Sequence, residues 1–410
     1  MADFTALLLP ALFTAMGLHL PKAFSLYYAG LFLLAWRGRR QPMPSPLIRC
    51  SSLLLLAFGV SYAAISVHYG FWRLDGRDLL DLVSVLVLPA LGVWLGALAG
   101  ARLGWRGMGW LWLAYGLGAL VFAWLVLLHG RVWSDGGGWS QLWELRRSSS
   151  ISVPWGSDLV VNVRSIEQNA SIAVTWLIPG LWLTRSPQHR SVGWFMLLAA
   201  IAGLGAVACF HGRLGYLMAV VGALPLLALL SLSQRIRRWL VVASAGCMAA
   251  LGAAMAWRQP MALGLLRRVY DERFDRFAGF LPAASEFPWG GNQMHFQAFD
   301  RMRGGLMQFD ARQGELMHNV PLDVYVRVGW LPVLLLLLAV LPLLWQAFKA
   351  VKASLRVPGD QPAVLLASSL ALCLTVQWLF QPLIFGDGLF FYVGFLLLGF
   401  LASRPHELQP

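Results

Sequence analysis

Residues 317–341, MHNVPLDVYVRVGWLPVLLLLLAVL, pass from polar residues directly into an apolar run. His318 and Asn319 stand near the start, and Asp323 and Arg327 follow at helical spacing. A polar residue just before a proline-containing first turn is typical of a helix N-terminus, with Asn319 as the N-cap. The apolar run is long enough to cross the hydrocarbon core of a bilayer. The segment therefore predicts a membrane helix with an imidazole, an amide, a carboxylate and a guanidinium at its mouth.

The rest of the chain has the same apolar character. Hydrophobic residues make up 58% of the 410 residues and charged residues only 12%, with a mean hydropathy of +0.64. A soluble domain carries about 25% charged residues, whereas runs of roughly 17–25 apolar residues, long enough for membrane helices, recur along this chain. We therefore expect an all-α polytopic membrane protein in which residues 1–410 form a single integral membrane domain.

About twelve apolar runs are predicted to be membrane spans. Two long polar segments interrupt them, residues 130–170 and residues 257–320. The second contains an amphipathic stretch, LLRRVYDERFDRFAGFL, which predicts a partly helical loop before the tenth span. The predicted spans lie near residues 3–20, 22–36, 50–68, 79–99, 108–129, 171–185, 192–210, 214–232, 239–256, 321–347, 362–381 and 386–403.

Basic residues are concentrated in alternate loops along the chain. These loops contain the segments RGRRQPMPSPLIR, ARLGWRG, RSPQHR, SQRIRR and KAVKASLRVPGD. Short cytoplasmic loops are enriched in Lys and Arg, so we expect these loops and both termini in the cytoplasm. Residues 130–170 and 257–320 then lie outside, as a first long loop and a main loop. Because the net charge of +13 does not form a single patch, we expect no nucleic-acid partner.

The sequence signals neither a metal site nor a bound cofactor. The four cysteines lie in or beside apolar runs without a C-x-x-C pair, and the chain has no phosphate-binding loop, no H-E-x-x-H and no D-x-D carboxylate pair. Asn169 lies in a glycan-acceptor sequon, NAS, which we interpret as a coincidence at the mouth of a predicted span. We therefore expect chemistry that uses protein side chains alone.

Cations and one histidine on the predicted outer face could carry that chemistry. Arg213, in the tight turn HGR, is either a snorkelling arginine at a helix end or an anion-binding group. The stretch RRVYDERFDRF, with Arg268, Arg273 and Arg276, is either a solvated amphipathic helix or a phosphate-binding face. His318 is either a bystander of a capped helix or a base at an anion site, since helix N-termini favour anions.

Three of these pieces occur in an order that resembles a known group of enzymes. His318 and Asn319 are followed by nine residues and Gly329. Upstream, Arg273 precedes Pro288 by about fifteen residues, with glycines just after the proline, and Arg213 opens a span further upstream. In this order, the motifs resemble those of the O-antigen ligase and polymerase superfamily.

The match departs from that superfamily at two positions. Pro332 stands three residues after Gly329, where a small residue or Tyr is usual, and Gly212 precedes Arg213, where Ser is usual. The resemblance covers roughly residues 200–345 by motif and the remainder of the chain by topology.

The resemblance implies a membrane-embedded glycosyltransferase of the GT-C class. Such enzymes take a glycan from an undecaprenyl-diphosphate carrier at the outer face of the bacterial inner membrane, so the active site would face the periplasm. By this resemblance Arg213 and Arg273 would hold the diphosphate, His318 would be the general base, and neither a metal ion nor a cofactor would be needed. We count four further residues as substrate-binding: Asn319, Arg268, Arg276 and Asp387.

Within the superfamily the sequence favours the ligase, which moves finished O-antigen onto lipid A–core oligosaccharide. Its partners would be the undecaprenyl-diphosphate-linked glycan donor, the lipid A–core acceptor and membrane lipids. The polymerase is the runner-up, because residues 130–170 form a second sizeable outer loop, and a protein O-oligosaccharyltransferase comes third. A transporter would predict charged or helix-breaking residues in mid-span, whereas the polar residues here lie mainly at the outer ends of spans.

Overall fold

Helices make up most of the described part of the chain. A computed structural model describes residues 2–20, 45–70, 76–129, 139, 150–153, 156–210, 213–229, 242, 246, 284–291, 319–380 and 388–403. Its α-helices are α1 (Ala2–Gly17), α2 (Pro46–His68), α3 (Gly76–Leu128), α4 (Val163–Val174), α5 (Leu177–Leu183), α6 (Arg190–Phe210), α7 (Arg213–Val221), α8 (Leu224–Leu229), α9 (Val320–Val328), α10 (Trp330–Ser354), α11 (Gln361–Phe380) and α12 (Gly388–Ala402). A 3₁₀ turn covers Pro358–Asp360, and two strands are β1 (Ser150–Val153) and β2 (Gly156–Asn162).

Helix length and composition agree with a membrane protein. Among the described residues, five helical segments are long and apolar enough to cross a bilayer: Pro46–His68, Leu82–Leu128, Arg190–Cys209, Trp330–Ser354 and Pro358–Phe380. Two shorter apolar segments, Leu214–Leu226 and Phe391–Ala402, accompany them. The expected second span, residues 22–36, lies outside the described residues, as does almost all of the ninth.

Helix α3 is divided by a glycine. Leu82–Leu128 holds 47 residues, and at 1.5 Å per residue such a helix would be about twice as long as a bilayer core is thick. Gly104 interrupts it with φ 67° and ψ 179°, a conformation that is almost restricted to glycine. The break falls inside the basic segment ARLGWRG and leaves two segments of crossing length. The sequence predicted separate spans, residues 79–99 and 108–129, and the break at Gly104 lies between them.

The predicted tenth span is also divided, and here the expectation of one continuous helix was wrong. Gly329, with φ 95° and ψ −178°, separates the nine-residue α9 from the 25-residue α10. Pro332 lies in the first turn of α10, where a missing N–H costs nothing. Pro332 is therefore compatible with the local structure of α10.

The described fold is predominantly helical, as expected, and a short β-hairpin occurs within the first long loop. Strands β1 and β2 pair antiparallel, with Ile151 opposite Val161 and Ser152 opposite Val160. Their β-branched residues favour this pairing. The helix expected from residue 171 begins instead at Val163, and it breaks after Val174 because Pro179 has no N–H to continue the helical hydrogen bonds.

Small residues allow the helices to approach each other closely. A Cβ atom at Gly96 would overlap the Leu396 carbonyl oxygen, and one at Gly399 would overlap that of Val93. Helices α3 and α12 therefore meet backbone to backbone. Gly118 makes a similar approach to Thr14 on α1. Glycine contacts of this kind are a common way for membrane helices to pack where the hydrophobic effect between them is weak.

Several of the predicted cytoplasmic loops meet at one end of the bundle. Arg106 Nε lies 3.7 Å from Asp360 Oδ1 across an exposed gap, and a ring nitrogen of His189 lies 2.8 Å from the Pro358 carbonyl oxygen. Trp105 packs edge-on against Phe400 near the C-terminus of α12. We call this the Gly104 end. Three of the five loops that the charge pattern assigns to one side therefore share one end of the fold, in the part of the chain that the structure describes.

Candidate functional site at the mouth of helix α9

The N-terminus of α9 is capped as the sequence predicts. The Asn319 side-chain oxygen accepts a hydrogen bond of 3.1 Å from the Leu322 backbone N–H. Pro321 follows the cap within the first turn, where proline is favoured. The capping prediction for Asn319 is therefore confirmed. We call the end of the bundle at which α9 begins the α9 end.

Asn319 also connects α9 to a neighbouring helix. Its side-chain Nδ2 donates a 3.2 Å hydrogen bond to the carbonyl oxygen of Leu379, in the last turn of α11. Carbonyl groups in the last turn of a helix have no partner within the helix, so a side-chain donor from elsewhere satisfies one of them. The amide of Asn319 thus caps one helix with its oxygen and another with its nitrogen.

A short turn, residues 288–291, docks against the junction of α9 and α10. The Gly291 N–H donates to the Tyr325 carbonyl oxygen at 2.9 Å, and the Trp330 N–H donates to the Trp289 carbonyl oxygen at 3.0 Å. The Tyr325 hydroxyl donates to the Pro288 carbonyl oxygen at 2.8 Å. Burial raises the pKa of the Tyr325 phenol, so it stays a donor at neutral pH. Side-chain and backbone bonds therefore hold the turn on α9.

Glycine is required at this contact. Gly290, Gly291 and Gly329 have φ values of 63°, 84° and 95°. A Cβ at Gly290 would lie 2.5 Å from the Tyr325 carbonyl oxygen, and a Cβ at Gly329 would lie 3.0 Å from that of Trp289. The backbone conformation disfavours a side chain at all three positions, and at Gly290 a Cβ would also overlap the Tyr325 carbonyl oxygen. The two sequence features that carried the family resemblance here, the Pro-x-Gly-Gly turn and the glycine after His-Asn, are therefore in direct contact.

A buried polar cluster holds the other side of α9. Asp323 and Arg327 are both buried and interact electrostatically with Tyr62 on α2, which also neighbours Ser66. Removing one member of a buried charged group leaves its partner unsatisfied and costs about 3–5 kcal/mol. The cluster therefore fixes α9 against α2. Direct pairing of Asp323 with Arg327 stays a prediction.

Helix α4 brings a second set of buried polar groups to the same end of the bundle. Glu167 Oε1 accepts a 3.1 Å hydrogen bond from the Gly215 N–H in the first turn of α7. The Gln377 side chain on α11 donates to the Gln168 carbonyl oxygen at 3.0 Å. Asn169 Oδ1 lies 3.0 Å from a ring nitrogen of His19, which stacks on Phe122. Helix α4 is thus bonded to α7, α11 and the residues after α1.

These contacts join the start of α7 to the start of α9. Asn319 bonds to the end of α11, Gln377 on α11 bonds to α4, and Glu167 on α4 bonds to the first turn of α7. Arg213 is the first residue of α7. The fold therefore brings Arg213 and the N-terminus of α9 to one end of the bundle, although Asn319 lies 106 positions after Arg213 in the sequence.

The remaining predicted site residues lie outside the described residues. They are His318, Arg268, Arg273, Arg276 and Asp387. Their roles stay predictions. His318 is bonded directly to Asn319 in the chain, and Arg273 lies fifteen residues before Pro288.

Sequence reasoning missed the buried polar groups of α4. It assigned Glu167, Gln168 and Asn169 to a loop, because polar residues next to an apolar run usually mark its end. All three are buried, and Asn169 has no exposed surface, which excludes it as a glycan acceptor and agrees with reading its sequon as a coincidence. The available signal was the run EQNAS directly at the mouth of a predicted span, since polar residues at membrane depth are buried against other helices.

Comparison with protein families and with curated proteins assigns no function to this site. No protein-family model matches the sequence, and no curated protein matches it significantly. A functional proposal therefore depends on the residues of this chain and their arrangement.

Proposed function

We propose that this protein is an O-antigen ligase of the GT-C class with about twelve spans in the bacterial inner membrane. It would transfer a polysaccharide from undecaprenyl diphosphate to lipid A–core oligosaccharide at the periplasmic face. The supporting observation is the contact of residues 288–291 with Gly329. The turn begins fifteen residues after Arg273, and Gly329 stands eleven residues after His318.

The chemistry of the donor explains why these residue types are needed. The acceptor hydroxyl oxygen attacks the anomeric carbon, and the bond from that carbon to the diphosphate oxygen breaks with its electron pair. His318 takes the hydroxyl proton, as an imidazole with an ordinary pKa of about 6.5 is mostly neutral near pH 7. Arg213 and Arg273 stabilise the charge on the departing diphosphate through bidentate hydrogen bonds.

The location of the polar groups supports surface chemistry on a lipid-linked substrate. A diphosphate cannot enter hydrocarbon without a large desolvation cost, and a sugar acceptor reaches it from water. The α9 end combines a capped helix N-terminus, the start of α7 at Arg213 and a docked glycine turn. Such a mouth could receive both substrates without opening a path through the membrane.

A polymerase of the same superfamily is the second candidate. Strands β1 and β2 give the first long loop a defined structure, and a structured second outer segment could bind a second lipid-linked glycan. Both enzymes use the same donor and differ in the acceptor. The donor chemistry proposed for His318 and the arginines would be the same in either case.

Reconstitution distinguishes these possibilities. The purified protein in proteoliposomes is given an undecaprenyl-diphosphate-linked glycan, with or without lipid A–core. We expect glycan on lipid A–core and release of undecaprenyl diphosphate, with activity that persists in excess chelator. Longer glycans on the carrier without lipid A–core would establish the polymerase instead. No product with either acceptor would reject both proposals.

The orientation has its own test, because the reaction requires the α9 end outside the cytoplasm. Single cysteines at Gln313 and at the exposed Gln188 are introduced into a variant without the four native cysteines. An impermeant maleimide should label Gln313→Cys in intact spheroplasts and Gln188→Cys only after lysis. The reverse pattern would place the α9 end inside and contradict the proposal.

A further inference from the structure

Glu167 is a buried carboxylate with an unusual acceptor role. It lies on α4, inside the helix bundle, and only 8% of its surface is exposed. Its Oε1 accepts a 3.1 Å hydrogen bond from the backbone N–H of Gly215, 48 residues later in the chain. Burial of a charged carboxylate is costly without such partners. An acid at this position therefore calls for a specific explanation.

The position of its partner supplies a physical reason. Gly215 lies in the first turn of α7, whose backbone N–H groups have no acceptors within the helix. The first turn of a helix also carries a partial positive charge, which favours a carboxylate over a neutral group. Glu167 thus acts as a cap supplied by another helix. Its charge is stabilised there and in turn fixes the first turn of α7.

The surroundings leave the first turn little freedom. Only residues 211–212 separate α6 from α7. A Cβ at Gly215 would overlap the side chain of Val207 on α6, so these two helices are already in close contact. With α6 on one side and the Glu167 carboxylate on the other, the start of α7 is held from two directions. Arg213 is the residue at this start.

We propose that Glu167 is a positioning residue that sets the location and the charge environment of Arg213 for binding the diphosphate of the donor. This inference rests on the proposed function, in which Arg213 holds that diphosphate. Glu167 itself contacts no substrate in this proposal. It acts through the first turn of α7, which it anchors with a charge-assisted hydrogen bond.

The charge of Glu167 is testable separately from its shape. Glu167→Gln keeps the size of the side chain and an oxygen acceptor but removes the charge. Charge-assisted hydrogen bonds are roughly twice as strong as neutral ones. We expect Glu167→Gln to raise the apparent KM for the undecaprenyl-diphosphate donor by about tenfold while kcat changes less than about threefold, because donor binding is affected more than chemistry.

Non-additivity then separates positioning from a general structural role. If Glu167 acts through Arg213, Glu167→Gln should add little in an Arg213→Ala background, since coupled residues do not contribute independently. Ser171→Ala is the matched control, because Ser171 is also buried on α4 and its hydroxyl bonds within that helix to the Glu167 carbonyl oxygen. We expect the control to leave the donor KM within about twofold.

A reaction-independent measurement completes the test. Hydrogen–deuterium exchange over residues 213–217 should be faster in Glu167→Ala than in wild type, and unchanged in Ser171→Ala. Glu167→Asp, which keeps the charge on a shorter side chain, serves if Glu167→Ala does not fold. Failure of the wild type to transfer glycan would reject the proposed function, yet the exchange result would still report on α7.

Two outcomes would overturn the inference in an active preparation. One is an unchanged donor KM in Glu167→Gln where Arg213→Ala is impaired. The other is a full additive loss in the double variant, which would make Glu167 a structural residue independent of Arg213. Unchanged exchange in a folded Glu167→Ala or Glu167→Asp would also contradict the anchoring step.

Discussion

Gly104 and Gly329 give nearly the same backbone break to two very different regions. Gly104 has φ 67° and ψ 179°, and Gly329 has φ 95° and ψ −178°. Each interrupts an apolar helical stretch at a conformation that other residues rarely adopt. Yet Gly104 lies at the end of the bundle where the basic loops meet, and Gly329 lies under the docked turn 288–291.

The two breaks differ in the groups around them. Near Gly104 one charged contact joins Arg106 to Asp360, and the arginine side chain is 77% exposed, so this pair contributes little. Beside Gly329, backbone hydrogen bonds tie Trp289 and Gly291 to Trp330 and Tyr325. The break at Gly104 therefore serves as a connection between two helical segments. At Gly329 a second segment, residues 288–291, is docked on the break, and the candidate site lies there. Matched substitutions at the two ends of the bundle test this distinction.

The largest expected difference in transfer rate is between His318→Ala and His189→Ala. His318→Ala should lower transfer by about 10²–10⁴-fold, the usual cost of removing a general base, while donor binding and membrane insertion persist. His189→Ala, at the Gly104 end, removes a contact with the Pro358 carbonyl oxygen and should leave transfer within about twofold. Donor binding and turnover are measured on the same purified variants. Retained turnover in His318→Ala would mean that the base is elsewhere, and loss of donor binding alone would make His318 a phosphate ligand.

The arginines give the second comparison. Arg213→Ala should reduce transfer by about 10²-fold, as expected for a lost donor to developing negative charge, and Arg213→Lys should lose less because it keeps the charge but not the planar fork. Arg106→Ala serves as the control and should retain transfer, since its ion pair is exposed. Single-turnover rates with saturating donor separate chemistry from binding. Equal activity in Arg213→Ala and Arg106→Ala would remove the diphosphate role from Arg213.

The glycines themselves give the third comparison. Gly104→Ala and Gly329→Ala should each destabilise the protein by about 1–3 kcal/mol, because both impose an unfavourable backbone conformation. Gly329→Ala also pushes a Cβ towards the Trp289 carbonyl oxygen, at 3.0 Å. We therefore expect about tenfold lower turnover per folded molecule in Gly329→Ala and unchanged turnover in Gly104→Ala. Thermal unfolding in detergent gives the folded fraction, and similar turnover in both variants would refute the distinction between the breaks.

The smallest effect concerns Tyr325. Tyr325→Phe removes the hydroxyl bonds to Pro288 and Phe287 and should cost about 1 kcal/mol, with about threefold lower transfer. Burial raises the pKa of this phenol above its usual value near 10. The stabilisation by the tyrosine is then complete below about pH 10 and lost as pH rises through the folded-state pKa. The difference in Tm between the two proteins should be constant from about pH 6 to pH 9, and a dependence within that range would contradict this assignment.

Some of these features were predictable because their causes are local. Asn319 could be identified as a cap from the proline that follows it, and the two segments of α3 from the basic residues around Gly104. The break at Gly329 depends on a turn some forty residues upstream, which a local hydrophobic pattern does not report. The same holds for Glu167, whose partner Gly215 becomes a neighbour only when α4 packs beside α7.

The break at Gly329 also has a consequence for biogenesis. Helix α10 is apolar and, at 25 residues, long enough for the insertion machinery to recognise as a span. Helix α9 has nine residues and carries Asp323 and Arg327, so it would not partition into lipid by itself. Insertion of α10 into the bilayer therefore does not require α9 to be packed, whereas the mouth is complete only when residues 288–291 contact Gly329. Loss of the buried charge at Asp323 or Arg327 should thus leave membrane insertion of α10 unchanged but weaken the packing of α9 against α2 by about 3–5 kcal/mol.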